Sequence, residues 1–398
     1  MNNKIKIKKA EDYFGKLLKE QLRRVEKIKK KKDFINYNKL PQIIICFIPG
    51  DGIGPLLLQE TQKILKVLLA PELQSKKIKF KNIKGLTIKN RIKTKKALPN
   101  KVLKEIKKCQ IILKGPTTTP RQGDKGPNIE SANVALRKEL DLFANIRPVT
   151  VAKENISWTF FRENTEGAYP LGNKGLHISP DLALDFTITT TPGTERIIRL
   201  AFAYAQKNNI KKVTLITKAN VIKTTDGKFL KIGKKIAQEY PKIEMDDWYI
   251  DIMAAKLIDT QRRSQFKVMV LPNLYGDILT DEAAQLQGGV GTAGSANIGT
   301  KYAMFEAIHG SALRMVKEGR QKYADPSSLI RAAIMLLQHI NYFKQAQKLK
   351  KALDLATQFE KKIIITGRKN GATSNEFCNY LLDLLKNPYL EKKYKSYQ

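Results

Sequence analysis

Two aspartates define the chemistry this sequence offers. Asp277 and Asp281 stand four residues apart in NLYGDILTDEAAQLQGGVGTAGSANIG (273–299), directly after the apolar run KVMVLPN (267–273). That run reads as a buried strand of a mainly parallel sheet. The composition of residues 278–286 predicts a helix, which puts both carboxylates on one face near its start. Like charges there repel unless a cation lies between them, and hard divalent cations take oxygen ligands. A solvated first turn favoured by the helix dipole is the competing account of the same pair. The small residues of 288–299 then offer backbone that a ligand approaches closely.

Groups that would meet anionic substrates lie earlier in the chain. SANVALRKELDLFANIRP (131–148) carries Ser131, Asn133, Arg137 and Arg147, and WTFFRENTEGAY (158–169) delivers Arg162 at a strand end and Tyr169 soon after. Planar guanidinium forks bind carboxylates bidentately. The plainer account has Ser131 capping a helix and Arg137 exposed. GPTTTP (115–120), following the strand 111–114, offers backbone donors and hydroxyls that include Thr118 and Thr119. Lys218 sits at the carboxyl end of the buried strand 212–217, where open α/β sheets gather their ligands, and Asn220 follows it. Asp251 opens a helix over 252–260.

The elements that must hold these groups alternate between strand and helix, which argues an α/β architecture. Helices are expected over 56–69, 195–208, 224–235, 326–340 and 374–385, and strand-like alternation over 183–191. The strand QIIICFI (42–48) runs into PGDGIGP (49–55), a decoy for a dinucleotide fingerprint. Its glycines are spaced G-x-G-x-G, Pro55 follows them, and Asp51 would face the pyrophosphate, so the turn is read as structural.

A chain of 398 residues with 42% hydrophobic content is long enough for two domains or one bilobal unit. No apolar run reaches the roughly eighteen residues of a membrane span. Three dispersed cysteines, Cys46, Cys109 and Cys378, fit no disulfide framework or zinc pattern, and three histidines argue against His-rich catalysis. The formal charge of +36 comes mostly from lysine spread along the chain, without a nucleic-acid motif or an aromatic-interleaved basic patch. It reads as a basic surface that favours small anionic substrates, with no specific nucleic-acid or membrane partner. Residues 11–33 have helical spacing and end in KKKK (29–32), a basic segment too acidic and too poor in serine for a transit peptide. A cytoplasmic location is expected, with the mitochondrial matrix as the alternative.

Taken together and in this order, KGPTTTP, Ser131-x-Asn133, FRENTEGAY, the strand-end Lys218 and the Asp277/Asp281 stretch resemble the β-decarboxylating dehydrogenases, the isocitrate and isopropylmalate dehydrogenase family. The likeness covers roughly residues 42–385. It implies an α/β, isocitrate/isopropylmalate dehydrogenase-like, non-Rossmann fold. A large discontinuous domain (41–142 and 288–398) would form the cofactor side, and a small central domain (143–287) the substrate, metal and dimer side. Residues 1–40 are left as a basic N-terminal extension. Family members are dimers whose cleft sites borrow residues from the partner subunit.

By matched motif position, Ser131, Asn133, Arg137, Arg147 and Arg162 would bind isocitrate, and Asp251, Asp277 and Asp281 would hold Mg²⁺ or Mn²⁺. Lys218 would assist removal of the hydroxyl proton, and Tyr169 would return a proton after CO₂ leaves to give 2-oxoglutarate. Thr118, Thr119, Asn220, Glu306, His309, Gly310, Ser311, Arg314 and Asp325 would bind NADP or NAD. Leu313 replaces the proline that family members place after the His309–Ala312 loop, and Arg314 and Met315 take the specificity positions. Arg314 cannot accept from a ribose hydroxyl and suits a 2′-phosphate, which favours NADP; Arg262 or Arg263 would add charge from the partner. Ser131 and Asn133 favour a third carboxylate over an isopropyl group, because unpaired buried polar groups cost about 1–3 kcal/mol each. The alternatives are 3-isopropylmalate or another 2-hydroxy acid as substrate, or a non-catalytic regulatory subunit.

Overall fold

The computed structural model describes residues 3–30, 33–120, 129–151, 154–172 and 174–397. The chain folds as two compact units, Met1–Phe34 with Phe143–Ala283, and Ile35–Leu142 with Ala284–Gln398. It opens with the helix Asn3–Lys29 and then lays down β1 (Ile43–Ile48), β2 (Ile78–Asn82) and β3 (Ile111–Lys114). Seven strands follow in the first-named unit: β4 (Ala144–Val151), β5 (Ile156–Glu163), β6 (Leu176–Ser179), β7 (Leu182–Leu184), β8 (Lys212–Thr217), β9 (Glu244–Tyr249) and β10 (Val268–Leu271). β11 (Gly294–Ile298) and β12 (Ala303–Ala307) complete the second unit.

In the second unit the strand order is β2-β1-β3-β12-β11, parallel except for the antiparallel pair β11–β12. β3 and β12 are buried along their whole length, including Lys114 and Glu306, which pair with each other. In the other unit the order is β4-β5-β10-β8-β9, parallel apart from β4–β5, with β6–β7 as a separate hairpin. Within each unit the parallel strands present their carboxyl ends at one edge, and several of the candidate residues lie there.

The turn after β1 shows why PGDGIGP carries its glycines. Gly50 and Gly52 adopt φ of +71° and +59°. Backbone of the turn donates to the neighbouring loops, Asp51 N–H to Pro116 O (2.8 Å) and Ile53 N–H to Ser311 O (3.1 Å). The Asp51 carboxylate is occupied by the N–H groups of Ile88 (2.8 Å) and Thr118 (2.9 Å). It ties the loops after β1 and β3 together.

Several expectations need correction. The helix expected from residue 278 begins at Asn273, because Asn273 and Gly276 are fixed by contacts with Arg162 that a local reading cannot see. The small-residue run 288–299, read as backbone a ligand could approach, includes the buried strand β11, and a Cβ on Gly294 would lie 2.5 Å from Ala332 N, so smallness there serves close helix packing. The alternation at 183–191 yields only β7, whose three residues are exposed. The N-terminal helix spans Asn3–Lys29 instead of 11–33, and Lys31 and Lys32 lie outside the described residues. Among the described residues no helix is long and apolar enough to cross a membrane.

Gly52→Ala should lower unfolding free energy by about 2–4 kcal/mol, since left-handed backbone and overpacking both oppose a Cβ. That Cβ would sit 1.8 Å from the Ser311 carbonyl oxygen. Urea denaturation measures it, and a change under about 0.5 kcal/mol would contradict the role given to the turn.

Candidate functional site

In the unit built on β4, β5 and β10, one carboxylate gathers the chemistry. Arg162, at the end of β5, donates to Asp277 and, through Nε and Nη2, to Asn273 Oδ1 at 2.9 and 2.7 Å. The Tyr169 hydroxyl donates to Asp277 Oδ2 at 2.7 Å, and the Arg162 guanidinium lies 5.4 Å from the Tyr169 ring centroid. Arg147 reaches the same helix from β4, donating to Asp281 Oδ1 (2.9 Å) and Thr280 Oγ1 (2.5 Å), with Nη2 3.6 Å from Asp277. Parallel pairing of β5 with β10 puts Leu271 opposite Arg162, so the helix that follows β10 starts beside that guanidinium. Gly276 makes the approach feasible: a Cβ there would lie 2.5 Å from Arg162 Cγ.

Arg147 and Arg162 are buried, whereas the Asp277 and Asp281 side chains keep 37% and 57% of their exposure. Cations are thus fixed from below and carboxylate oxygens face outward, a donor set suited to a hard divalent ion such as Mg²⁺ or Mn²⁺. Among the described residues no group of three or more His, Cys, Asp or Glu side chains is placed to hold a metal. Asp251 in particular does not join Asp277 and Asp281. It pairs with Lys218 Nζ at 2.6 Å, and that hydrogen bond holds its carboxyl below the usual range. Lys218 also lies 5.8 Å from the Tyr249 ring centroid, and its backbone N–H donates to Asp226 (2.7 Å).

The second unit carries the other predicted residues at the ends of β3 and β12. Thr118 Oγ1 and Ser311 Oγ share a hydrogen bond of 2.8 Å, joining the two loops. The His309 Nδ1–H donates to Gly310 O (2.9 Å), while its Nε2 is shielded and has no partner among the described residues. Burial lowers the pKa of that ring, against the opposing pull of the Gly310 carbonyl and Asp325. Asp325 accepts from Ser327 N–H (2.8 Å) at the start of the helix Ser327–His339. Arg314, 88% exposed, pairs with Glu318 (2.6 Å), which Arg320 also engages. Asn220 is exposed and belongs to the other unit. Arg263 is unavailable as a supplementary cation: it is buried against Glu154, and its carbonyl accepts from Trp158 Nε1.

Ser131 occupies the N-cap position of the helix Ala132–Glu139, yet its hydroxyl makes no capping bond. Asn133 Oδ1 accepts from Thr117 at 3.2 Å. Arg137 is 12% exposed, lies 3.5 Å from Glu306, and has a buried Nε without a hydrogen-bond partner among the described residues.

Sequence reasoning missed three residues that support these groups. Lys114, fully buried, pairs with Glu306 at 3.0 Å. Burial alone would raise the Glu306 carboxyl, but Lys114 and Arg137 outweigh it and bring it down to about 2. Arg91, also fully buried, donates to the carbonyls of Ala97 (2.9 Å), Thr118 (2.7 Å) and Glu130 (2.7 Å), fixing the chain on both sides of the 121–128 segment. A lysine ending an apolar strand before Gly-Pro was the available signal for the first; Arg91 had none. Glu163 is the third. Burial and then the Glu166 carboxylate push it up to about 7, against the pull of Arg196, Thr165 and Arg24.

Because the folded value exceeds the ordinary 4.5, Glu163 contributes stability below that pH which is lost as pH rises through about 7. Glu163→Gln should therefore shrink the difference in unfolding free energy between pH 5 and pH 8 by about 1–3 kcal/mol. Denaturant titrations at the two pH values check this; an unaltered difference would show that Glu163 is ionised throughout.

Residues 44–375 match the family described as isocitrate/isopropylmalate dehydrogenase. The isocitrate dehydrogenase (NADP) of Rickettsia prowazekii is 40% identical over 299 residues, 73% of this chain and 58% of the relative. The chain thus spans a little under three-fifths of that relative's length. The 3-isopropylmalate dehydrogenase of Methanothermobacter thermautotrophicus is 38% identical over 315 residues, 78% of this chain and 89% of the relative. The crystal structure of isocitrate dehydrogenase from Methylococcus capsulatus superposes with a TM-score of 0.76 at 34% identity, covering 87% of this chain and 100% of that one. With its fold, motif order and matched residues in agreement, the chain belongs to the isocitrate/isopropylmalate dehydrogenase family.

Proposed function

We propose that the protein oxidises isocitrate and releases CO₂ from it to give 2-oxoglutarate, using NADP or NAD and Mg²⁺ or Mn²⁺. The observation that carries this reading is the convergence of Arg147, Arg162 and Tyr169 on the Asp277–Asp281 face. Such a face binds a polycarboxylate, offers hard oxygen donors and presents a proton donor beside them. When bound, the nicotinamide accepts the hydride and the divalent cation polarises the substrate oxygens.

The chain's own residues do the rest. Arg137, Arg147 and Arg162 bind and orient carboxylates, each guanidinium being largely withdrawn from water. Ser131 and Asn133 select the third carboxylate, a role helped by a serine hydroxyl not spent on capping. Lys218 takes part in removing the hydroxyl proton, and Tyr169, oriented by Asp277, returns a proton to the carbon that CO₂ leaves. Since Lys218 and Asp251 stand together and apart from Asp277, they suit a homodimer in which this pair completes the site of a second copy. Thr118, Thr119, Asn220, Glu306, His309, Gly310, Ser311 and Asp325 would hold the nicotinamide dinucleotide, and exposed Arg314 favours NADP through its 2′-phosphate.

A second reading, 3-isopropylmalate or another 2-hydroxy acid, is favoured by the longer coverage of the Methanothermobacter relative. Purified protein assayed with Mg²⁺, each nicotinamide, and isocitrate or 3-isopropylmalate decides between them. Turnover of isocitrate, faster with NADP, is expected. Turnover of isopropylmalate alone would overturn the roles of Ser131 and Asn133, and turnover of neither would point to a regulatory subunit. In the active protein Tyr169→Phe should lower kcat by about 10²–10⁴, the usual range for losing a positioned acid.

A further inference from the structure

The N-terminal helix Asn3–Lys29 lies outside the residues that match the family, yet it reaches the loop carrying the candidate site. Arg24 is the point of contact. Its Nη1 donates to Glu166 Oε1 at 3.1 Å and its Nη2 to Thr165 Oγ1 at 3.2 Å. Glu163 and Glu166 are only 2% and 3% exposed, so two carboxylates are buried three residues apart on the segment that runs from Arg162 to Tyr169. Burying such a pair is costly unless cations and N–H donors answer it.

The groups that answer it are few. Thr165 N–H and Oγ1 donate to Glu163 (2.9 and 2.7 Å), and Thr190 N–H and Oγ1 donate to Glu166 (2.9 and 2.5 Å). Arg196, its guanidinium 4.3 Å from the Phe143 ring centroid, donates to Thr165 Oγ1 at 2.9 Å. Arg24 touches a carboxylate of the pair directly, at Glu166, while the charge of Arg196 also acts on Glu163.

From Glu166 a short chain of hydrogen bonds leads to the site. The Glu166 carbonyl accepts from Asn273 Nδ2 (2.9 Å), Asn273 Oδ1 accepts from Arg162, and Arg162 donates to the Asp277 carboxylate that also takes the Tyr169 hydroxyl. The helix is anchored near Arg24 by independent contacts. The Tyr13 hydroxyl donates to Lys174 O (3.1 Å), Lys174 pairs with Glu20 (2.7 Å), and the Phe14 and Phe186 rings lie 5.6 Å apart. The helix is therefore also fixed at Lys174 and Phe186, on chain that follows the segment its arginine holds.

We propose that Arg24 is a positioning residue for the reaction: by clasping Glu166 and Thr165 it keeps Arg162 and Tyr169 in register at Asp277. The inference rests on the function proposed above for that site, and its test separates the two.

Full-length wild type, Arg24→Ala and Arg24→Lys are compared well below their melting temperatures, by isocitrate turnover and by deuterium exchange of residues 163–169. Arg24→Ala should lose at least tenfold in kcat/KM and exchange those amides at least tenfold faster, with β1 and β3 unchanged. Arg24→Lys should recover to within about threefold of wild type. Arg24→Gln, which keeps hydrogen-bonding reach without the charge, replaces the alanine variant if that aggregates, with the same thresholds. Exchange and kcat/KM both within twofold of wild type would overturn the proposal. A wild type inactive on isocitrate would sink the functional reading alone, and the exchange result would still decide what Arg24 does.

Discussion

The Asp277 carboxylate is the constraint on which the rest of this site depends. One oxygen takes Arg162 and the other takes Tyr169, with Arg147 close by on the same face. The side chain keeps 37% of its exposure while the guanidinia against it are buried, so cations lie beneath the carboxylate and solvent above it. Every surrounding device serves that arrangement. β4 and β5 deliver the arginines, β10 sets the start of the helix that carries the aspartates, and Asn273 spans the gap between that helix and the Glu166 backbone.

Close approach of backbone is the second constraint. Gly276 admits Arg162, Gly294 admits the helix Ser327–His339 against β11, and Gly52 lets the turn after β1 touch the Ser311 carbonyl. In each case the missing Cβ shortens the distance between an element and the loop or strand it must steady, and steadiness is what a binding site needs from its scaffold.

The sequence made the α/β class and most strand positions legible because the buried parallel strands are mostly apolar: residues 111–114 and 212–217 coincide with β3 and β8. The candidate residues were legible through their motifs, since FRENTEGAY and the Asp277/Asp281 spacing are contiguous in the chain. What stayed hidden was whatever depends on contacts between distant segments. Residues 273–276 look like loop sequence until Arg162 is seen against them. Arg91 resembles any surface arginine until its three carbonyl partners are in view, and the buried Glu163–Glu166 pair reads as two ordinary acids. Local pattern finds elements and motifs; buried charge is visible only in three dimensions.

Equilibrium binding of Mn²⁺ to the full-length protein, followed by the loss of the free-ion paramagnetic resonance signal with and without isocitrate, tests the central role of Asp277 most directly. The wild type should bind Mn²⁺ more tightly when isocitrate is present, and Asp277→Asn should weaken that binding at least tenfold while remaining folded. Undiminished Mn²⁺ binding by a folded Asp277→Asn protein would contradict the account, because the carboxylate at the centre of the cluster would then be structural alone.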